Sequence, residues 1–237
     1  MSEWWTYTLS DFLLFSPRTY YRLFEIYNAA IWPAQIVAVG LGVAIVALVR
    51  RAAMDARRER VIAAILAACW LWVAVAFHAL RYATINWAAV YFAWAFGLEA
   101  ALLIWMGIVR GRLRFERPAD PAGRAGLGIF LFALVVEPLV GLLLGRGWKG
   151  VEVFGVAPDP TAVATLGILL LARIRRRWML MVIPAIWCAI TGATLLAMKA
   201  PDAWIPPLAA VLAVAFTRSG SADAPARGSA DRPRPRA

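Results

Sequence analysis

Seven apolar stretches of the chain are joined by short connections that are alternately rich and poor in arginine. The connections at 50–60, 110–126, 173–177 and 218–237 hold 19 of the 25 lysine and arginine residues, and the other 6 lie in 1–30, 81–86, 145–160 and 198–203. Basic residues in short loops are retained on the cytoplasmic side of a membrane. The alternation therefore predicts a membrane protein whose N-terminus is outside and whose C-terminus is in the cytoplasm.

The composition independently excludes a water-soluble fold. Hydrophobic residues make up 62% of the 237 residues and charged residues only 16%, with a mean hydropathy of +0.69. Soluble domains carry about 25% charged residues. The fold class that follows is all-α, a polytopic (multi-pass) transmembrane helical bundle of about seven spans.

The apolar stretches differ in whether they are long enough to cross the bilayer as helices. Crossing a hydrocarbon core of about 30 Å takes about 20 residues at 1.5 Å per residue. Five stretches meet this length, namely Ile31 to Val49, Val61 to Leu80, Trp87 to Val109, Leu127 to Leu144 and Trp178 to Ala197. Two others, Thr161 to Ala172 and Trp204 to Phe216, have only 12 and 13 residues. We expect these two to recruit flanking residues or to thin the bilayer.

The two ends of the chain differ from the membrane domain at 31–217. Residues 1–30 lack the features of a cleaved secretory signal, so we expect them to remain as an external segment. Their aromatic side chains suit the outer headgroup region, and Pro17 precedes a predicted helix from Arg18 to Ala30. Residues 218–237 are rich in Ala, Arg, Pro, Gly, Ser and Asp without periodicity, which predicts a disordered cytoplasmic tail.

The chain lacks the residues that several classes of function require. The net charge of +11 is divided among separate short loops, which favours contact with anionic lipid over nucleic-acid binding. With one histidine, and with Cys69 and Cys188 in the middle of apolar stretches, the chain has no ligand set for zinc or a two-histidine haem. The last span has no lysine for a retinal Schiff base, and phosphate-binding and hydrolase motifs are absent. We therefore predict neither a metal nor a cofactor.

Two glutamates lie inside the predicted hydrocarbon region. Glu99 is the thirteenth residue of the third span and Glu137 the eleventh of the fourth, so both fall near the bilayer midplane. An ionised side chain there costs about 2.5–3.5 kcal/mol on insertion scales and often marks an ion pathway. The two carboxyls are candidates for an ion or substrate path. The alternative is that each is protonated and hydrogen-bonded to a neighbouring helix.

A second group of candidate residues lies at the predicted outer face. His78, Arg81 and Tyr82 are spaced i, i+3 and i+4 on one helical face, and Asn86 follows in the same connection. Glu25 and Asn28 are again three residues apart in the external segment. A histidine there can titrate near neutral pH, although a lone histidine at a helix end is more often an interfacial hydrogen-bonding residue.

The segment Phe154 to Thr161 is apolar, contains two prolines and precedes a short span. This pattern predicts a re-entrant or broken element, which is tolerated at membrane depth only when protein buries it or when it lines a cavity. Asp159 and Thr161 are therefore further path candidates, and the plainer alternative is that one of them caps the following helix.

Three parts of the chain resemble an uncharacterised family of bacterial multi-span membrane proteins, a domain of unknown function. They are Arg18 to Pro33, Arg110 to Phe115 and Phe154 to Thr161. The resemblance covers nearly the whole chain except the tail. It implies a bacterial inner-membrane protein of this topology and supplies no activity. The family commonly has a cysteine between the two prolines where this chain has Asp159, which weakens any thiol or soft-metal role.

Three functions remain open from the sequence. The favoured one is a small transporter or channel-like protein for an ion or small solute, with Glu99 and Glu137 as carriers and a water-filled path reaching the midplane. An outward-facing enzyme would need Glu25, His78 and Asp159 within a few ångströms of one another. A non-catalytic membrane partner or assembly subunit, or a homo-oligomer, would direct the carboxyls towards lipid. The sequence leans away from an enzyme.

Overall fold

The computed structural model describes residues 14–51, 55–174 and 176–222, with side chains through residue 217. These residues form the helices α1 (Pro17–Ile31), α2 (Ala34–Val49), α3 (Ala56–Trp72), α4 (Ala89–Leu103), α5 (Pro121–Leu131), α6 (Glu137–Leu143), α7 (Pro158–Leu170), α8 (Trp178–Ala197) and α9 (Ile205–Ala222), and two short strands, β1 (Arg114–Phe115) and β2 (Ala172–Arg173). The all-α prediction is confirmed at this level. α9 runs past the predicted start of the tail at 218, and residues 1–13 and 223–237 lie outside the described residues.

Four helical segments are long and apolar enough to cross a membrane. α3 continues through the π-helical turn Val73–Ala79 and the 3-10 turn Tyr82–Thr84, α4 continues through Ile104–Val109, and Phe132–Val136 joins α5 to α6. The resulting segments, together with α8, have 29, 21, 23 and 20 residues. The pair α1 and α2 bends by 88° and meets the same criteria as one broken segment, which would make five. Pro138 in α6 follows one of the π turns, where a missing N–H interrupts the regular bonding pattern.

Helix starts are set by local side-chain capping. Ser16, Asp55 and Asp120 each accept a hydrogen bond from the backbone N–H three residues later, at 3.2, 2.8 and 2.9 Å. Such bonds satisfy an N–H that has no partner within the helix. Pro17 and Pro121 come directly after two of these caps, at a position where no N–H is needed. The predicted helix from Arg18 to Ala30 is therefore present as α1.

α7 is the centre of the molecule. All of its 13 residues are buried, and it packs against α5, α8 and α9. α5 and α7 meet at Gly126 and Gly167, where a Cβ on either glycine would lie within about 2.7 Å of backbone atoms of the other helix. The irregular segment before α7 is also buried, including Phe154, Val156 and Ala157. Protein contacts therefore surround both the short helix and the irregular backbone that leads into it.

The connections between helices meet in two groups. In the first group, β1 pairs antiparallel with β2, Glu116 forms an ion pair with Arg173, and the Arg117 guanidinium donates to the Arg50 carbonyl. In the second group, α1 contacts the segment between α6 and α7, and that segment contacts the one between α8 and α9. The second group holds most of the polar side chains discussed next.

Candidate functional site

A small cavity with acidic walls lies within the second group of connections. Its volume is about 20 Å³, which is room for about one water molecule. The polar residues that line it are Glu137 at the start of α6, Arg146 and Glu152 between α6 and α7, Asp159 in α7 and Asp202 just before α9. Apolar side chains of α6, α8 and α9 complete the wall. The cavity thus gathers four carboxyl groups and one guanidinium.

Arg146 makes most of the polar contacts across the cavity. Its guanidinium donates to Asp202 Oδ2 at 2.5 Å and lies 3.6 Å from Glu152 Oε1. It also donates to the Tyr21 hydroxyl at 3.3 Å and lies over the Tyr21 ring, 4.7 Å from its centre. The Arg146, Glu152 and Asp202 side chains are only 10–11% exposed. Burial strengthens these pairings, because water does not screen them well.

Asp159 is held from the opposite side by two donors on α8. Trp187 Nε1 donates to Asp159 Oδ1 at 2.7 Å, and Thr191 Oγ1 donates to Asp159 Oδ2 at 2.8 Å. Hydrogen bonds of this kind stabilise an ionised carboxylate in a buried place. Asp159 therefore has its own partners and does not depend on Arg146 for hydrogen bonds.

Three carboxyl oxygens of the cavity have no hydrogen-bond partner among the described residues. They are Glu137 Oε2, Glu152 Oε2 and Asp202 Oδ1. A buried polar atom without a partner costs about 1–3 kcal/mol, so such atoms call for a proton, a water or a ligand. All three oxygens belong to residues that line the cavity, so the buried acceptors without a donor are concentrated at one place.

The cavity environment changes the protonation of Glu152. Burial, helped by the charges of Asp159 and Asp202 and opposed by the Arg146 guanidinium, raises the pKa of Glu152 to about 8. Burial disfavours the charged Arg146 side chain, but the Coulombic attraction of Glu152, Tyr21 and Asp202 outweighs it and raises the pKa of Arg146. The guanidinium therefore stays charged while Glu152 exchanges a proton near neutral pH.

Hydrogen bonds from side chains of α1 to backbone carbonyls position the segment that carries Arg146 and Glu152. The Asn28 amide donates to the carbonyls of Lys149 and Val151, both at 2.8 Å, and the Tyr27 hydroxyl donates to the Val156 carbonyl at 2.8 Å. α1 thus anchors this segment against the bundle. Asn28, a predicted outer-face candidate, serves here as a structural clamp.

The predicted path residues separate into different environments. Glu137 and Asp159 line the cavity together. Glu99 on α4 does not line it; it is fully buried, and neither of its carboxyl oxygens has a partner among the described residues. Thr161 accepts from the Gly155 N–H and donates to the Ala157 carbonyl, which shapes the turn before α7. α7 begins without a side-chain cap, so neither Asp159 nor Thr161 has the alternative capping role.

His78 lies inside a group of aromatic rings. Its ring centre is 4.5 Å from that of Phe96 and 4.9 Å from that of Trp187, with Phe77, Tyr82 and Phe92 within 6.0 Å. The side chain is fully buried, and neither ring nitrogen has a partner among the described residues. His78 does not line the cavity, but Trp187 contacts both its ring and the Asp159 carboxylate.

The remaining outer-face candidates make local contacts. Glu25 pairs with Arg22, one turn earlier in α1. Asn86 Oδ1 accepts from the Ala88 N–H at 3.0 Å, at the turn before α4. Arg81 is exposed, whereas Tyr82 is buried against Tyr20 and Phe77. Trp187 thus contacts both His78 and Asp159, whereas the ion pair of Glu25 is with Arg22.

Sequence reasoning missed Arg146, Glu152, Asp202, Trp187 and Thr191. The first three are single charges in short connections between helices, where charged residues are ordinary. Within residues 14–51, 55–174 and 176–222, no group of three or more His, Cys, Asp or Glu side chains is arranged to hold a metal ion.

Comparisons with known proteins bear on the chain as a whole. No curated protein and no solved structure matches it. One family model matches residues 18–225, a range that contains every residue lining the cavity and confirms the predicted resemblance to an uncharacterised family. The chain therefore belongs to the family of unknown function DUF6064.

Proposed function

We propose that this protein is a multi-pass protein of the bacterial inner membrane that moves a proton or a small cationic solute, with the acidic cavity as its binding site on the outer side. The single observation that carries the proposal is the set of unpartnered carboxyl oxygens on Glu137, Glu152 and Asp202 at one cavity. Ionisable groups held within a membrane domain usually serve ion or proton pathways.

The grouping of connections supports the proposed sidedness. The segments that contact one another around β1 and β2 belong to the arginine-rich connections, which the positive-inside rule assigns to the cytoplasm. The segments around Arg146 all belong to the arginine-poor set. Seven spans, with α7 and α9 as the short ones, are part of the proposal, and burial of α7 by its neighbours removes its need to match the bilayer thickness.

The charge balance of the site supports a cationic ligand. Four carboxyl groups surround one guanidinium, so the cavity holds an excess of negative charge unless protons or cations bind. Glu137 belongs to one of the long apolar segments, so the cavity connects the polar connections with the membrane domain. An anion or a neutral apolar solute would meet the wrong electrostatic potential there.

The other two functions receive less support. The enzyme hypothesis required Glu25 beside His78 and Asp159, but Glu25 is paired with Arg22 instead. The partner-subunit hypothesis required carboxyls that face lipid, whereas Glu99 is fully buried within the chain. A translocation site is the function that uses the observed arrangement of Glu137, Glu152, Asp159 and Asp202.

The test is a flux measurement on the full chain in liposomes that contain a pH-sensitive dye. An inside-negative membrane potential is imposed, and interior acidification is followed with and without methylguanidinium chloride outside. We expect wild-type liposomes to acidify, or to change their rate with the added cation, and Glu137→Gln to abolish this. Glu25→Gln is the matched control, because Glu25 is a carboxylate outside the cavity, and it should behave as the wild type.

Either of two results would overturn the proposal. One is a wild-type flux equal to that of protein-free liposomes, both with and without the added cation. The other is a Glu137→Gln variant that conducts as well as Glu25→Gln. Correct folding of each variant is checked by monodisperse elution before reconstitution.

A further inference from the structure

Arg146 occupies a ready-made site for a guanidinium group. Its planar cation lies between the Asp202 carboxylate and the Glu152 carboxyl group and over the Tyr21 ring, 4.7 Å from the ring centre. Oxygens of these two groups supply acceptors for a fork of N–H donors, and the ring face attracts the positive charge. The same three groups would hold a free guanidinium or primary ammonium in the same way.

The site also retains acceptors that Arg146 does not use. Asp202 Oδ1 has no partner although the residue is only 8% exposed, and Glu137 Oε2 lies unpartnered in the same cavity. The free volume of about 20 Å³ admits about one water molecule, so a polyatomic cation does not fit beside Arg146. Such a cation fits only where the Arg146 guanidinium now lies.

Arg146 lies in a turn between two glycines. Gly145 and Gly147 flank it with φ values of +80° and +67°, in the left-handed region that favours glycine. Nothing lies within 4 Å of a Cβ built on either glycine. Asn28 clamps the chain only from Lys149 onward. The Arg146 N–H donates to the Gly141 carbonyl at 3.1 Å, so the guanidinium would leave the cavity by rotation about side-chain bonds while the backbone contacts stay in place.

We propose that Arg146 is a tethered competitor for the site, and that the ligand which displaces it is a small monovalent organic cation bearing a guanidinium or a primary ammonium group. This inference rests on the proposed function and names the class of its substrate. In the unloaded protein Arg146 neutralises part of the cavity charge. When the cation enters, it takes over Asp202, Glu152 and Tyr21, and Arg146 moves towards the solvent.

Binding of methylguanidinium to the full chain in lipid nanodiscs tests this. Isothermal titration calorimetry follows the binding. We expect measurable binding to the wild type, and binding tighter by about tenfold or more in Arg146→Ala, because the internal competitor is gone. Arg146→Lys should fall between the two, since a point charge is a poorer occupant of a forked site.

Three controls separate the mechanism from simple charge effects. Lys149→Ala removes a cation of the same segment that does not line the cavity, and it should leave the affinity unchanged. Asp202→Asn in the Arg146→Ala background should weaken binding by about tenfold or more. Tetramethylammonium, which has the charge but no N–H donors, should bind much more weakly than methylguanidinium to Arg146→Ala.

The outcomes are distinguishable from those of the flux assay. Equal affinities in the wild type, Arg146→Lys and Arg146→Ala would overturn the inference. Binding to Arg146→Ala with none to the wild type would overturn it too, because Arg146 would then be a permanent part of the wall. If Glu137→Gln abolishes proton flux while methylguanidinium does not bind the wild type, the proposed function stands and the substrate class falls.

Discussion

Thr191→Val removes one of the two hydrogen bonds that hold the Asp159 carboxylate. Thr191 Oγ1 donates to Asp159 Oδ2 at 2.8 Å, while Trp187 Nε1 holds the other oxygen. Valine keeps the shape of threonine and loses only the hydroxyl. A hydrogen bond to a charged group is worth about 1.5–3 kcal/mol, and its loss leaves Oδ2 buried without a donor. We expect the free energy of unfolding to fall by about 2 kcal/mol.

Thr194→Val is the matched control on the same helix. Thr194 Oγ1 donates to the Ile190 carbonyl at 2.9 Å, a backbone bond within α8 that involves no carboxylate. Such bonds contribute little to helix stability, so we expect a change within about 0.5 kcal/mol. Reversible unfolding in mixed detergent micelles, followed by circular dichroism, gives both values under the same conditions.

A double-mutant cycle with Asp159→Asn assigns the loss to the pair. In the Asp159→Asn background the acceptor carries no charge, so the cost of Thr191→Val should shrink by about 1 kcal/mol or more. Equal costs for Thr191→Val and Thr194→Val would refute the reasoning. A Thr191→Val cost that is the same in both Asp159 backgrounds would refute it as well, since the hydroxyl would then act through packing alone.

Stability against pH and helix packing provide two further tests. Burial raises the pKa of Glu152 to about 8, above its ordinary 4.5, so the folded protein keeps a proton that the unfolded chain releases in this window. The free energy of unfolding should therefore fall as pH rises from about 4.5 to 8, by at most ~1.4 kcal/mol per pH unit. Glu152→Gln should flatten this dependence on pH, and an unchanged dependence in the variant contradicts the reasoning. Gly126→Ala should cost about 1–3 kcal/mol, because its Cβ would lie 2.5 Å from the Gly167 carbonyl oxygen. Gly128→Ala should be neutral or stabilising, because nothing lies within 4 Å of a Cβ built on Gly128. If a denaturant titration gives the same change in the free energy of unfolding for Gly126→Ala and Gly128→Ala, close packing at Gly126 is ruled out as the cause.

Hydrophobic patterning predicted the helices well because membrane insertion is decided by local composition. The predicted apolar stretches coincide with α2, the continuous helices built on α3, α4 and α5, and α7, α8 and α9. The rule that charges inside an apolar stretch mark function selected Glu137, and the proline-containing segment Phe154 to Thr161 selected Asp159; both line the cavity. These predictions needed only residue type and position along the chain.

The sequence could not predict how each helix is rotated about its own axis, and the reason is physical. α7 is buried on every side, so it has no polar face to indicate which residues meet which neighbour. Asp159 was therefore as compatible with a capping role as with the contacts that it makes to α8. Glu99 and Glu137 had equal standing in the sequence, yet only Glu137 lines the cavity.

The residues that complete the site come from connections that only the fold brings together. Arg146 lies between α6 and α7 and Asp202 between α8 and α9, and neither has a sequence neighbour that indicates the other. Their pairing depends on α1, whose Asn28 holds the segment after Arg146 in place. A single sequence records the charge of each residue but not the partner that neutralises it.

Charge balance gives the cavity a property that none of its residues has alone. Four carboxyls and one guanidinium share a space with room for about one water molecule, so the carboxyls cannot all be ionised at once without another cation. The number of protons bound there must therefore depend on whether another cation is present. A cation that takes the place of Arg146 leaves the number of positive charges beside Glu152 unchanged, so this exchange alone does not release a proton. Proton release at Glu152 would accompany cation binding only if the displaced Arg146 guanidinium stayed close enough to add its charge to that of the bound cation.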